Sequence, residues 1–187
     1  MSFFRRVADC DVSPVVAELD AQPDLWNTIT LRRDAPNSPH SEMSDIWVRY
    51  NDIRKFTDNY LRLNDEHVPI WYPAWYRLPS LRPIVFGLMT LVQGEMLGGI
   101  LITKIPPGKG IARHVDRGWH VDYYDKFYVQ LRNAEGASFC FDGEAHTPKP
   151  GEIWMVDNRE PHWIENNSSE DRMTLIVCIR TEIFGRK

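Results

Sequence analysis

Cysteine is scarce in this 187-residue chain: there are three, Cys10, Cys140 and Cys178, far apart in sequence. An odd, scattered set builds neither a disulfide framework nor a zinc spacing, and it points to a reducing compartment, so a cytoplasmic location is expected. A basic excess is also missing. The 22 Lys and Arg against 26 Asp and Glu give a net charge of −4, which argues against a nucleic-acid backbone as the main partner. Long apolar runs are absent. The longest, Leu97 to Thr103, is much too short to span a bilayer, so no membrane partner is expected. Met1-Ser2-Phe3-Phe4-Arg5-Arg6 leads into charged and polar residues, so no signal peptide is expected either. Repeats and low-complexity tracts are lacking.

What is present is ordinary globular material rich in large rings. Seven Trp, seven Tyr and eight Phe supply core and pocket walls. The length suggests a single domain, 1–187, which buries roughly two thirds of its unfolded surface and needs no disulfide or structural metal. Its texture changes near residue 97. Residues 1–96 read as a helical and irregular extension, and 97–180 as a β-rich core. In the first part, Val12 to Leu19 is a candidate helix with Ser13 as N-cap and Pro14 at its first position. Asp45 to Tyr50 alternates polar and apolar, which predicts a strand. Trp71 to Tyr76 is proline-broken and reads as loop or wall. Leu81 to Met96 has a helical pattern whose start Pro83 confines. In the second part, predicted strands run over Gly99–Ile105, Ile111–Asp116, Lys126–Arg132, Ala137–Phe141, Glu152–Val156, His162–Glu165 and Arg172–Arg180. Turn signals separate them, with a hairpin at Asp142-Gly143. Short strands at such even intervals indicate a sandwich or barrel.

Chemistry concentrates in His114-Val115-Asp116. Strand parity would aim His114 and Asp116 into one cavity. A third ligand would come from His162, 48 residues on (162 − 114), just after the turn Asp157 to Pro161. Two imidazoles and one carboxylate can hold a divalent iron on one face and leave the other open. A second triplet, His120-Val121-Asp122, competes, but it lies in a stretch, Trp119 to Tyr124, that reads as a loop at a pocket mouth. Asp157 and Asn158 are candidates to orient His162 from behind. Ten residues after His162 (172 − 162), Arg172 opens an apolar strand. An inward arginine there can grip the far carboxylate of a 2-oxo acid such as 2-oxoglutarate. Thr103, Lys126 and Tyr128, on neighbouring predicted strands, are further candidates for that contact. Arg49, Arg113, Trp119, His120, Tyr123, Tyr124 and Trp163 are candidate substrate contacts or pocket walls.

In this order the motifs resemble the aspartyl/asparaginyl β-hydroxylase branch of the iron(II)/2-oxoglutarate oxygenases. The carrying residues are Thr103-Lys104-Ile105-Pro106-Pro107-Gly108, Ile111 to Asp116, Gly151 to Asn158 leading to His162, and Asp171-Arg172. The resemblance covers roughly residues 97–180. It implies a mainly β, double-stranded β-helix (jelly-roll, cupin-like) fold with N-terminal helical and irregular segments packed on it. It also implies iron on His114, Asp116 and His162, and 2-oxoglutarate on Arg172. Thr103, eleven positions before His114 (114 − 103), falls where the family places a hydroxyl contact to the cosubstrate. Some members have glycine at the acidic ligand, where this chain has Asp116. Where the family often has Arg-x-His after the triplet, this chain has Lys126-Phe127-Tyr128. The implied cofactors are Fe(II), 2-oxoglutarate and dioxygen, and the implied reaction is hydroxylation of an unactivated C–H bond. The substrate would be an amino acid or an Asp/Asn-type residue in a peptide or protein. A cupin-like barrel that binds metal or a small ligand without oxygenase chemistry, with His120 as an extra ligand, is the competing class.

Overall fold

The computed structural model describes residues 2–56, 62–63 and 65–181. Among these residues, eleven strands form two antiparallel sheets. In chain order these are β1 (Phe4–Asp9), β2 (Ser44–Asn51), β3 (Pro69–Trp71), β4 (Met96–Ile105), β5 (Gly110–His114), β6 (Asp125–Arg132), β7 (Ala137–Phe141), β8 (Glu144–His146), β9 (Glu152–Val156), β10 (His162–Asn166) and β11 (Arg172–Arg180). The large sheet has the order β1-β9-β6-β11-β4-β2-β3, and the small one β5-β10-β7-β8. Neighbours distant in sequence lie side by side, as in a double-stranded β-helix, or jelly roll. The described residues also form the helices α1 (Ser13–Asp20), α2 (Leu31–Asp34), α3 (Pro73–Arg77), α4 (Leu81–Leu91) and α5 (Trp119–Tyr123). Among the described residues, no helix is long and apolar enough to cross a membrane.

Strand parity sorts the side chains of the large sheet. On β11, Met173, Leu175, Val177 and Ile179 join the main core, where they meet α1 and α4 through Val15, Leu19, Leu81, Val85 and Leu88. Each such buried aliphatic contributes about 1.5–3 kcal/mol. Phe127, Val129 and Leu131 of β6 and Ile100 and Ile102 of β4 point the same way. The alternate residues therefore face the space between the sheets: Arg172, Thr174 and Ile176 on β11, Lys126 and Tyr128 on β6, and Thr103 on β4. There a second, smaller core is built from Ile105, Ile111, Tyr128, Phe139, Phe141, Val156 and Ile164.

Several elements depart from the sequence reading. Helix α1 has Val12 at the cap position, one residue before the expected Ser13, which is already helical. Asp11 takes over the capping, its Oδ1 accepting from the Ser13 N–H at 2.9 Å and hydroxyl at 2.6 Å. The aromatic run expected to be loop or wall instead forms β3 and α3, because Pro73 starts a helical turn that buries Ala74 and Trp75. Helix α4 stops at Leu91. Gln93 then adopts φ 53°, and the Gly94 N–H returns to Met89 O at 2.8 Å, so Met96 opens a strand. Residues 1–96 also add more than helical and irregular cover. They contribute β1, β2 and β3, with β1 paired to β9 and β2 to β4. The turn at Asp142-Gly143 does join a hairpin, Phe141 pairing with Glu144.

Candidate active site

His114 and His162 meet as a cross-strand pair between β5 and β10. Their ring centroids are 4.4 Å apart. Each imidazole makes the same hydrogen bond: Nδ1 lies 2.8 Å from a main-chain carbonyl two residues earlier, Ala112 O for His114 and Glu160 O for His162. A carbonyl can only accept, so the proton sits on Nδ1 and Nε2 keeps its lone pair. Asp116 completes the group with Oδ1 3.5 Å from His114 Nε2. One donor atom from each of the three lies within 4.8 Å of the other two. Strand parity does not explain Asp116, because β5 ends at His114. The Asp116 N–H instead donates to Asn158 O at 3.2 Å, which curls the loop back over the histidines.

The second oxygen of Asp116 is held separately. Asn158 Nδ2 donates to Oδ2 at 2.5 Å, and the Lys126 ammonium makes an ion pair with the same atom. Burial by itself would raise the Asp116 pKa. The adjacent Lys126 charge, with hydrogen bonds from Lys126 and Asn158, overrides it and holds the carboxyl well below the usual range. Burial lowers the pKa of His162, favouring the neutral ring that a metal requires. Asn158 was expected to orient His162 but holds Asp116, while Asp157 pairs with Arg159 at 2.7 Å.

A narrow inner cavity leads from these residues to Arg172. Thr103, Tyr128, Lys126 and Thr174 also line it. Arg172 is 1% exposed. Its Nη1 donates to Thr174 Oγ1 at 2.8 Å, and its Nε has no hydrogen-bond partner among the described residues. Burial pulls its pKa down to about 10. The four residues expected around a cosubstrate thus converge, with one difference: the Lys126 ammonium is turned to Asp116. A wider outer cavity of about 400 Å³ opens on the other side of Asp116. His120 and Tyr124 line it, joined by Arg32, His40, His67 and Arg117. Arg32 and His40 also line the inner cavity. The sequence reading missed all four, which lie in stretches without periodicity.

Other candidates fall outside. Arg49 stacks over Trp71 at 5.1 Å and donates to Gly98 O at 3.4 Å, and it lines neither cavity. Arg113 pairs with Asp142 at the surface. Trp119 is 42% exposed on α5, which replaces the loop expected there. Tyr123 carries Arg180 over its ring at 4.4 Å, and Trp163, one residue past His162 on β10, turns outward to Glu165 at 2.8 Å. His120 stands outside the three-residue donor group, so the second triplet supplies no ligand to it.

The donor set suits divalent iron, and the buried guanidinium without a carboxylate partner suits the far end of 2-oxoglutarate. The family model for aspartyl/asparaginyl beta-hydroxylases matches residues 20–181. The chain belongs to this family. It is accordingly an enzyme of the Fe(II)/2-oxoglutarate oxygenase type, and Fe(II), 2-oxoglutarate and dioxygen are its cofactors. That decides against a cupin-like binder without oxygenase chemistry. The chain's fold is similar to solved structures of low identity. An oxidoreductase of the 2OG-Fe(II) oxygenase family from Burkholderia pseudomallei has TM-score 0.55 and 15% identity, covering 94% of this chain and 93% of that one. A prolyl hydroxylase from Trichoplax adhaerens, in complex with a hypoxia inducible factor peptide fragment, has TM-score 0.63 and 11% identity over 95% and 83%. A prolyl-4-hydroxylase from Pseudomonas putida has TM-score 0.51 and 14% identity over 96% and 93%. No curated protein sequence matches the chain.

Proposed function

We propose that Nε2 of His114, one oxygen of Asp116 and Nε2 of His162 hold the iron. In this reading Arg172, with Thr103, Tyr128 and Thr174 around the same cavity, holds the far carboxylate of 2-oxoglutarate. The observation that carries it is the convergence of three donor atoms at one end of a narrow cavity and a buried, unpaired cation at the other. The bound metal, 2-oxo acid and dioxygen supply the oxidant that replaces a C–H hydrogen with hydroxyl, with succinate and carbon dioxide as coproducts. The protein's part is geometric. Backbone carbonyls lock both imidazoles with Nε2 free, and Arg172 fixes the direction from which the 2-oxo acid approaches. The apolar walls at Ile111, Phe139, Ile164 and Ile176 keep water from the reacting atoms.

The substrate enters through the outer cavity. Among the described residues, the charged side chains lining that cavity apart from Asp116 are cationic: Arg32, Arg117 and Lys126. The histidines beside them are neutral. Burial pushes His40 down to about 2 and His67 down to about 4. Such a wall favours a substrate with an acidic or amide group, which supports an Asp/Asn-type residue or a free amino acid. The peptide bound to the prolyl hydroxylase neighbour supports the peptidyl form.

The test is succinate formation from 2-oxoglutarate with Fe(II) and ascorbate. Slow turnover without substrate is expected for the parent and none for His162→Ala. Turnover that survives in His162→Ala would remove the assignment.

A further inference from the structure

Lys126 stands on β6 facing the space between the sheets, and it lines both cavities. Its ammonium contacts neither Arg172 nor Thr174. It sits on Oδ2 of Asp116, where Asn158 Nδ2 also donates at 2.5 Å. Oδ1 of the same carboxylate has different company, His114 Nε2 at 3.5 Å. The two oxygens are thus sorted: one faces the imidazole nitrogens and the other is occupied by two donors. Asn158 secures this from both sides, since its own carbonyl accepts the Asp116 N–H at 3.2 Å.

The sorting has a chemical consequence. A carboxylate that presents both oxygens to a metal takes up one more coordination position than a carboxylate that presents one. A chelating 2-oxo acid and dioxygen need the open positions that remain. A cation this close also repels a divalent ion, so the arrangement lowers metal affinity while it keeps the coordination sphere open.

We propose that Lys126 is a positioning residue that reserves Oδ2 of Asp116, so that the carboxylate gives the iron a single oxygen. This rests on the iron site proposed above. It makes a prediction with opposite signs. In Lys126→Met, Mn(II) should bind about tenfold more tightly, and 2-oxoglutarate, measured calorimetrically on the Mn(II)-loaded protein without turnover, about tenfold more weakly. The visible spectrum of the Co(II)-loaded variant should change intensity relative to the parent, reporting altered coordination.

A merely structural lysine would behave differently, both affinities falling together, and that result overturns the proposal, as does unchanged 2-oxoglutarate affinity. Asn158→Ser removes one of the two donors and keeps the charge. It should weaken 2-oxoglutarate without weakening Mn(II), and it decides the matter alone if Lys126→Met does not fold by circular dichroism. Failure of the parent to bind Mn(II) counts against the iron site itself. Normal Mn(II) binding by the parent, with parallel losses in the variants, counts against Lys126 alone.

Discussion

Burying a guanidinium without a carboxylate partner costs several kcal/mol, and the fold accepts that cost at Arg172. Its local compensation is one hydrogen bond to Thr174, which also stands 3.4 Å from Gln130 Oε1. A charge held this way is strained until an anion arrives, so its removal separates binding from stability. Arg172→Met is expected to lose about 2–5 kcal/mol of 2-oxoglutarate binding. Mn(II) affinity should stay near that of the parent, and the ligand-free protein should melt no earlier. Parallel loss of Mn(II) and 2-oxoglutarate affinity would show that Arg172 serves the fold instead.

At the scale of elements, the β5–β10 ladder sets the distance between the two histidines. Gly110 opens β5, and a Cβ added there would meet Ile164 O at 2.5 Å, a main-chain atom that cannot swing away. His114 follows four residues later and pairs with His162 on the same partner strand. Gly110→Ala is therefore expected to push the strands apart, destabilise the protein by about 1–3 kcal/mol and weaken Mn(II) binding. Urea unfolding and metal titration check the two parts. A variant that loses stability but keeps parental metal affinity would show that the ladder does not set the ligand spacing. Strand β11 has the complementary task. Its even-numbered face carries Arg172 and Thr174 into the inner cavity, while its odd-numbered face anchors it against α1 and α4.

For the whole molecule, the metal, 2-oxoglutarate and the two sheets are linked. The donors come from β5, its following loop and β10, and Arg172 comes from β11 in the other sheet. Ligands that bridge these parts bind the folded chain and not the unfolded one. Mn(II) at a hundred times its dissociation constant should add about 2.7 kcal/mol of stability, reversed by chelator. 2-Oxoglutarate should raise the melting temperature further only when Mn(II) is present, because the metal supplies its other anchor. An equal rise without metal would separate the two sites.

The β-rich core, the hairpin at Asp142-Gly143 and the three proposed donor residues were all legible along the chain. Those depend on local period and on which side chains can ligate at all. Lys126, Tyr128 and Arg172 were legible as candidates from their strands, and their inward faces follow from parity once the two sheets are in place. Only the tertiary structure decided how Asp116 reaches the histidines, because a loop bond to Asn158, 42 residues away (158 − 116), replaces strand parity there. It also decided that Lys126 serves Asp116 and that Arg32 and His40 line the cavities. Arg32 and His40 precede β2, which pairs with β4 from Ser44↔Lys104 to Arg49↔Ile100, and Lys126 meets Asp116 from a different strand, so no local period marks these contacts.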